Sequence, residues 1–162
     1  MKKIAVFVDV QNIYYTVKDS HNCHFNYREL WRQLSQKGDI VLANAYAIAR
    51  NDAQQQSFQN ILRGIGFSVK LKPYIQRSDG SAKGDWDVGL TIDVMDAVAS
   101  PDQPIDQVVL LSGDGDFDLL LQRVNDGYGV DTLVYGVPAL TATSLIDAAM
   151  EFRPIEGSLL LR

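Results

Sequence analysis

The stretch Val108-Val109-Leu110-Leu111-Ser112-Gly113-Asp114-Gly115-Asp116-Phe117-Asp118 runs four apolar residues straight into glycines and alternating carboxylates. A short continuous apolar run bounded by turn residues is the pattern of a strand buried on both faces, as in a parallel sheet. Phe117, Leu119, Leu120, Leu121 and Val124 follow with spacing that predicts a helix. A strand that stops at an acidic loop and feeds a helix puts that loop at the carboxyl edge of the sheet, where open α/β sheets bind ligands. Carboxylates crowded there repel one another unless a proton or a cation intervenes. The simplest resolution is a hard divalent metal held by oxygen ligands.

Outward from this stretch the same alternation repeats. Residues 3–9 predict a buried strand ending at Asp9, and residues 39–48 a second one. Residues 67–71 predict a third strand and residues 130–135 a fifth, after the one at 108–111. Helices are expected around 27–37, from a cap at Asn51 or Asp52 to about Arg63, from Trp86 to Ala97, after Phe117, and over 141–150. A charged, Ser- and Gly-containing loop is expected from Pro73 to Gly84, and a short apolar segment at the end of the chain. The alternation predicts an α/β fold, with a mostly parallel sheet of about five strands and helices on both faces. Right-handed crossovers place the first strand and the 108–111 strand near its centre.

The chain has 162 residues, and no linker, repeat or low-complexity segment interrupts it, so a single domain over 1–162 is expected. Its formal net charge of −5 argues against a protein that coats polyanions through bulk charge. Metal-binding carboxylates would contribute to that count. The single cysteine, Cys23, excludes an intrachain disulfide and suits a reducing cytoplasm. Five apolar residues, Ile4 to Val8, are too few for a signal-peptide core, and no stretch approaches a membrane span, so a cytoplasmic protein is expected.

Three acidic groups fall near strand ends. Asp9 either caps the next helix or holds a cation, with Asn12 facing the same crevice. In Lys83-Gly84-Asp85-Trp86-Asp87-Val88-Gly89-Leu90, Asp85 reads as the helix cap and Asp87 as either a first-turn charge or a site acid. Asp93 either supports the site from deeper in that helix or bonds to neighbouring backbone, and Asp96 reads as solvated. Asp114 and Asp116 flank Gly115, which lets the backbone turn closely, while Asp118 reads as a helix-start charge. An EF-hand needs glycine at its sixth position and glutamate at its twelfth; Leu119 and Asn125 stand there and exclude it.

These three ordered motifs resemble the NYN domains of the LabA-like group, relatives of PIN-domain nucleases. A hydrophobic strand ends in Asp9 with Asn12 three residues on; Lys83 to Asp93 forms the second motif, and Ser112 to Phe117 the third. The resemblance covers nearly the whole chain. It implies a Rossmann-like PIN fold and Mg²⁺- or Mn²⁺-dependent ribonuclease chemistry on RNA phosphodiester bonds. It also implies Asp9, Asp87, Asp114 and Asp116 as metal-site acids, with Asn12 and Ser112 in support. The chain departs from the family pattern in having Val10-Gln11 where a glycine-containing turn is common, and in carrying Asp85 beside Asp87. The alternative, from another class, is a catalytically weak module that binds RNA or a protein partner.

Arg50 follows the second predicted strand, and Lys70, Lys72, Arg77 and Lys83 surround the 73–84 loop, where these residues, with Tyr74 available for stacking, could border the acidic crevice. Arg50, Lys72, Arg77 and Lys83 are the candidate substrate contacts; solvated surface charge is the competing reading. His21, Cys23 and His24 lack a second ligand pair, which argues against structural zinc. No G-x-G-x-x-G follows the first strand. Gln11 replaces the second Asp that a haloacid-dehalogenase-like phosphatase requires. Leu159-Leu160-Leu161 reads as a packed tail, with an oligomer contact as the alternative.

Overall fold

The computed structural model describes every residue except 50, 51, 74, 77–81 and 84, and only the backbone of 73, 75, 76, 82 and 83. The chain runs β1 (Lys2–Asp9), α1 (Val10–His21), β2 (His24–Phe25), α2 (Tyr27–Ser35), β3 (Gly38–Ala49) and α3 (Ala53–Ile65). It continues through β4 (Ser68–Pro73), β5 (Ile75–Gln76), β6 (Ala82–Lys83), α4 (Asp87–Ala99) and β7 (Gln107–Leu111). The remainder is α5 (Asp118–Tyr128), β8 (Asp131–Gly136), α6 (Thr143–Ala148), β9 (Glu151–Pro154) and β10 (Leu160–Leu161).

Six strands form one sheet in the order β4-β3-β1-β7-β8-β9, and every pairing is parallel. As the sequence predicts, β1 and β7 lie at its centre. The period-2 alternation of strand side chains divides the core in two. Val6 and Val8 of β1, with Val109 and Leu111 of β7, pack under Val10, Ile13 and Val17 of α1, Leu30 and Leu34 of α2 and Leu62 of α3. Ala5 and Phe7, with Val108 and Leu110, pack under Leu90 and Val94 of α4, Leu121 and Val124 of α5 and Leu145 of α6. The first three helices therefore cover one face and the last three the other.

The structure adds to the predicted elements in several places. Residues 10–21, which the periodicity does not set out as a helix, form α1, which buries Val10, Ile13 and Val17 and is capped by Asp9 and Asn22. The last helix is confined to Thr143–Ala148. Residues 151–154 form a sixth strand beside β8, where the sequence reading stopped at about five. Within the expected Pro73–Gly84 loop, β5 and β6 pair antiparallel, Ile75 with Lys83 and Gln76 with Ala82. At the end of the chain, Leu160 pairs with Phe25 and is buried, so the tail packs. Of the two candidate caps for α3, Asp52 is placed at the cap and accepts the Gln55 N–H at 2.8 Å.

Numbered by sequence, the sheet strands run 3-2-1-4-5-6, the order of doubly wound nucleotide-binding folds. The order reverses between β1 and β7. After β1 the chain winds outward over one face; after β7 it winds the other way over the opposite face. The flanking loops diverge at the carboxyl ends of these two strands and leave a crevice. Asp9 ends β1, and Ser112 follows β7 directly.

Candidate functional site

Asp9 is both the last residue of β1 and the N-cap of α1. Its Oδ1 accepts the Asn12 N–H at 3.5 Å, and its Oδ2 accepts the Ser112 hydroxyl at 3.1 Å. The buried Ser112 Oγ in turn accepts the Asp114 N–H at 3.1 Å. Asn12 Oδ1 accepts the Gly113 N–H at 2.8 Å. The ends of β1 and β7 are thus stitched together through side chains where their backbone ladder runs out. Gly113 is required in this position, because a Cβ there would stand 2.5 Å from the Leu140 carbonyl oxygen.

Asp87 arrives from a different element. It opens α4, and its N–H donates to Asp85 Oδ1 at 3.2 Å. The preceding Trp86 fixes the position of this helix end. Its indole N–H donates to the Ala47 carbonyl of β3 at 2.8 Å, and its ring meets Tyr46 edge-on, with centroids 5.3 Å apart. Gly89 leaves room for the ring, since a Cβ there would fall 2.6 Å from it. On the other side, the Lys72 ammonium lies 4.7 Å from the Trp86 ring centroid and donates to the Asp85 carbonyl at 3.2 Å.

Carboxylate oxygens of Asp9, Asp87 and Asp114 lie within 4.8 Å of one another. They line a cleft of about 250 Å³ that also holds Asn12, Tyr46 and Asp85. Three half-buried carboxylates at this spacing repel. Burial pushes the Asp9 carboxyl up to about 6, against the downward pull of the Ser112 and Asn12 hydrogen bonds. Partial burial and then the charges of Asp114 and Asp85 push Asp87 up to about 7. An oxygen-only donor set at this spacing, with Asp9 and Asp87 raised first by burial and then by their acidic neighbours, can hold a hard cation.

Not every sequence candidate joins this cluster. Asp116 is exposed, and its backbone N–H donates to Asp114 Oδ1 at 2.9 Å, so it braces Asp114 and lies outside the trio. Asp93 also lies outside it and accepts the Tyr46 hydroxyl at 2.8 Å; Asn44 Nδ2 donates to the same hydroxyl at 3.1 Å. Asp93 therefore supports the cleft through Tyr46. Arg50, Arg77 and Tyr74 lie outside the described residues, as does the Lys83 side chain, whereas Lys72 stands beside the cleft. The sequence reading left out Tyr46 and the pinning role of Trp86. A tryptophan directly before a first-turn Asp was the available signal for the second.

Residues 3–156 match the NYN domain family, and the chain belongs to it. It is 27% identical over 128 residues to the Low amplitude and bright protein LabA of Synechococcus elongatus, covering 74% of this chain. That alignment spans 66% of LabA, slightly under two thirds of its length. The crystal structure of VPA0982, a protein of unknown function from Vibrio parahaemolyticus, is similar with a TM-score of 0.91 and 52% identity. The match covers 99% of this chain and 96% of that one. Ribokinase from Giardia lamblia, 12% identical with a TM-score of 0.52, covers 94% of this chain and 57% of its own, and shares the fold alone. Among the described residues no helix is long and apolar enough to cross a membrane.

The raised carboxyls set a pH dependence. The folded state holds protons at Asp9 and Asp87 more tightly than the unfolded chain, whose aspartates titrate near 3.8. These groups therefore leave metal-free stability untouched below that value and lower it as pH rises through about 6 and 7. Thermal melts in EDTA should fall from pH 5 to pH 8, Asp87→Asn should shrink that fall, and Mg²⁺ or Mn²⁺ should reverse it. Identical pH profiles for wild type and Asp87→Asn would count against the cluster. Gly89→Ala tests the pin: it gains about 1 kcal/mol of helix propensity yet pushes on Trp86. Calorimetric titration should show Mn²⁺ binding weakened about 10-fold; unchanged affinity would remove Trp86 from the site.

Proposed function

We propose that this chain is a metal-dependent ribonuclease that hydrolyses RNA phosphodiester bonds at the cleft between β1 and β7. The observation that carries the reading is the convergence of Asp9, Asp87 and Asp114 from three separate elements at the point where the strand order reverses. Membership of the NYN family, kin to PIN-domain nucleases, supports it. The donor set fits Mg²⁺ or Mn²⁺, which take carboxylate and water oxygens.

Asp9, Asp87 and Asp114 would hold the ion. Bound there, it supplies neutralisation of the phosphate, an activated water and stabilisation of the leaving oxygen. Each protein group has a definable part. Ser112 Oγ, donating to Asp9 Oδ2, fixes that carboxylate's rotamer, and Asn12 fixes the loop that carries Asp114. Tyr46, held by Asp93 and Asn44, forms a rigid wall. Lys72 adds positive charge at the rim, where a phosphate on either side of the scissile bond would lie. Arg50, Arg77 and Lys83, which lie outside the described residues or have only their backbone described, are further candidates for phosphate contacts. The lone Cys23 accords with work in the cytoplasm.

With single-stranded and structured RNA as substrates, Mg²⁺ or Mn²⁺ should support cleavage that EDTA abolishes. Asp114→Asn should lower the rate at least about 100-fold while leaving the circular dichroism unchanged, and Asp116→Asn, outside the trio, should cost less. Metal binding without cleavage of any RNA would favour the regulatory binding module instead. Lys72→Met, which keeps the aliphatic packing on Trp86 and removes the charge, should weaken RNA binding. It should also flatten the slope of log affinity against log salt by about 0.7, the value of one single-strand phosphate contact. An unaltered slope would take Lys72 out of the interface.

A further inference from the structure

Next to the acidic cleft lies a second cavity of about 540 Å³ that shares Gln11, Tyr15 and Ile48 with it. Its volume falls in the range of about 300–1,000 Å³ typical of small-molecule sites. One wall is α1, where Gln11, Tyr14 and Tyr15 stand three and four residues apart and so share a face. The opposite wall is α3, with Gln54, Gln55 and Phe58, and the end of β3 forms the floor.

The chemistry of this lining is unlike that of its neighbour. Among the described residues it carries no carboxylate, ammonium or guanidinium group. It offers instead aromatic rings and carboxamides. Tyr14 and Tyr15 are 43% and 51% exposed, large apolar surfaces left open to solvent in a concavity. The Tyr14 ring is itself braced, edge-on to Tyr15 at 5.3 Å and stacked on His24 at 5.9 Å. Each glutamine side chain presents both a donor pair and an acceptor, the complement of a heterocycle edge that mixes the two. A neutral, flat ligand with alternating donors and acceptors fits such a lining.

We propose that this cavity is a nucleobase subsite. It takes an unpaired base of the strand whose phosphate is held at Asp9, Asp87 and Asp114, with Tyr15 as the stacking surface and Gln11 and Gln54 reading the base edge. The identity of the polymer rests on the ribonuclease reading; the capacity to bind a base does not. Tyr15 and Gln11 border both spaces, so a base in one and its phosphate in the other belong to one nucleotide or to adjacent ones. A base already paired in a duplex has its edge occupied and its faces stacked, and is excluded.

Nucleosides test this without phosphate, metal or catalysis. With ¹⁵N-labelled full chain in EDTA, adenosine, guanosine, cytidine and uridine are titrated singly. At least one should shift the side-chain amides of Gln11, Gln54 and Gln55 while leaving the Asp114–Asp116 backbone in place. In an Asp114→Asn background that cannot cut, Tyr15→Ala should weaken binding of a single-stranded oligoribonucleotide by roughly 10-fold. Tyr15→Phe should restore it, and duplex binding should not change. Gln54→Ala, exposed on α3, probes the opposite wall without touching the core. Nucleoside shifts with no RNA cleavage by the wild type would support the subsite and overturn only the ribonuclease reading. Metal-dependent cleavage with no nucleoside shifts and unchanged KM in Tyr15→Ala would overturn the subsite and leave the ribonuclease reading standing.

Discussion

The hydroxyl of Ser112 sits at the hinge of this molecule. It donates to the Asp9 carboxylate and accepts from the Asp114 N–H, so one buried side chain joins the ends of the two central strands. In a parallel sheet those ends diverge, because the chain leaves β1 over one face and β7 over the other. A crevice is the automatic consequence, and its edges bear backbone groups that the ladder no longer pairs. Ser112 and Asn12 supply the missing partners. That satisfaction permits a carboxylate to remain half-buried at the strand end, where an unpartnered one would be too costly.

The third acid depends on a different constraint. Asp87 belongs to α4, which lies on the same face as α5 and α6 and leads the chain back from the edge strand β4 to the central β7, and nothing in the sheet register fixes its start. Trp86 does so, through the indole bond to Ala47 and the edge contact with Tyr46. Tyr46 lies opposite Asp9 in the β1–β3 register. The position of Asp87 is therefore referred back, by way of an aromatic pair, to the strand that carries Asp9. Lys72 over the Trp86 ring closes this assembly and, through its bond to the Asp85 carbonyl, keeps a positive charge beside the acidic segment that opens α4.

How far the sequence disclosed this depends on the range of each interaction. Asp9 and Asp114 were legible because each ends an apolar run, and a strand end is a local signal. Asp116 shows where local pattern stops: alternation with Asp114 suggests a shared direction, but residues 115–117 coil into a tight helical turn that carries its carboxyl outward. The tie between Tyr46 and Asp93 spans 47 residues of sequence and leaves no mark in either segment. The sixth strand, Glu-Phe-Arg-Pro, is short, at a sheet edge and half charged, with none of the apolar continuity that identified the buried strands. Helix α1 hid for the opposite reason: its β-branched and aromatic residues favour strand locally, and burial of Val10, Ile13 and Val17 against the sheet outweighs them.

A net charge of −5 is at first sight a poor qualification for a protein that engages a polyanion. The arrangement of the two adjoining cavities removes the difficulty. Bulk positive charge is needed when a protein holds nucleic acid by its phosphates alone. Here Asp9, Asp85, Asp87 and Asp114 gather in one cleft, where a divalent ion would reverse their local effect on a phosphate. The adjacent cavity carries no carboxylate, ammonium or guanidinium group in its described lining and is rich in aromatic surface, so its attraction for a base would depend little on the overall field. Binding by such a protein should show a weak salt dependence and a strong dependence on divalent metal, the reverse of what a basic RNA-coating domain shows. Part of the negative total belongs to the site itself, because the three acids that would seat the metal are among the 20 that make the chain acidic.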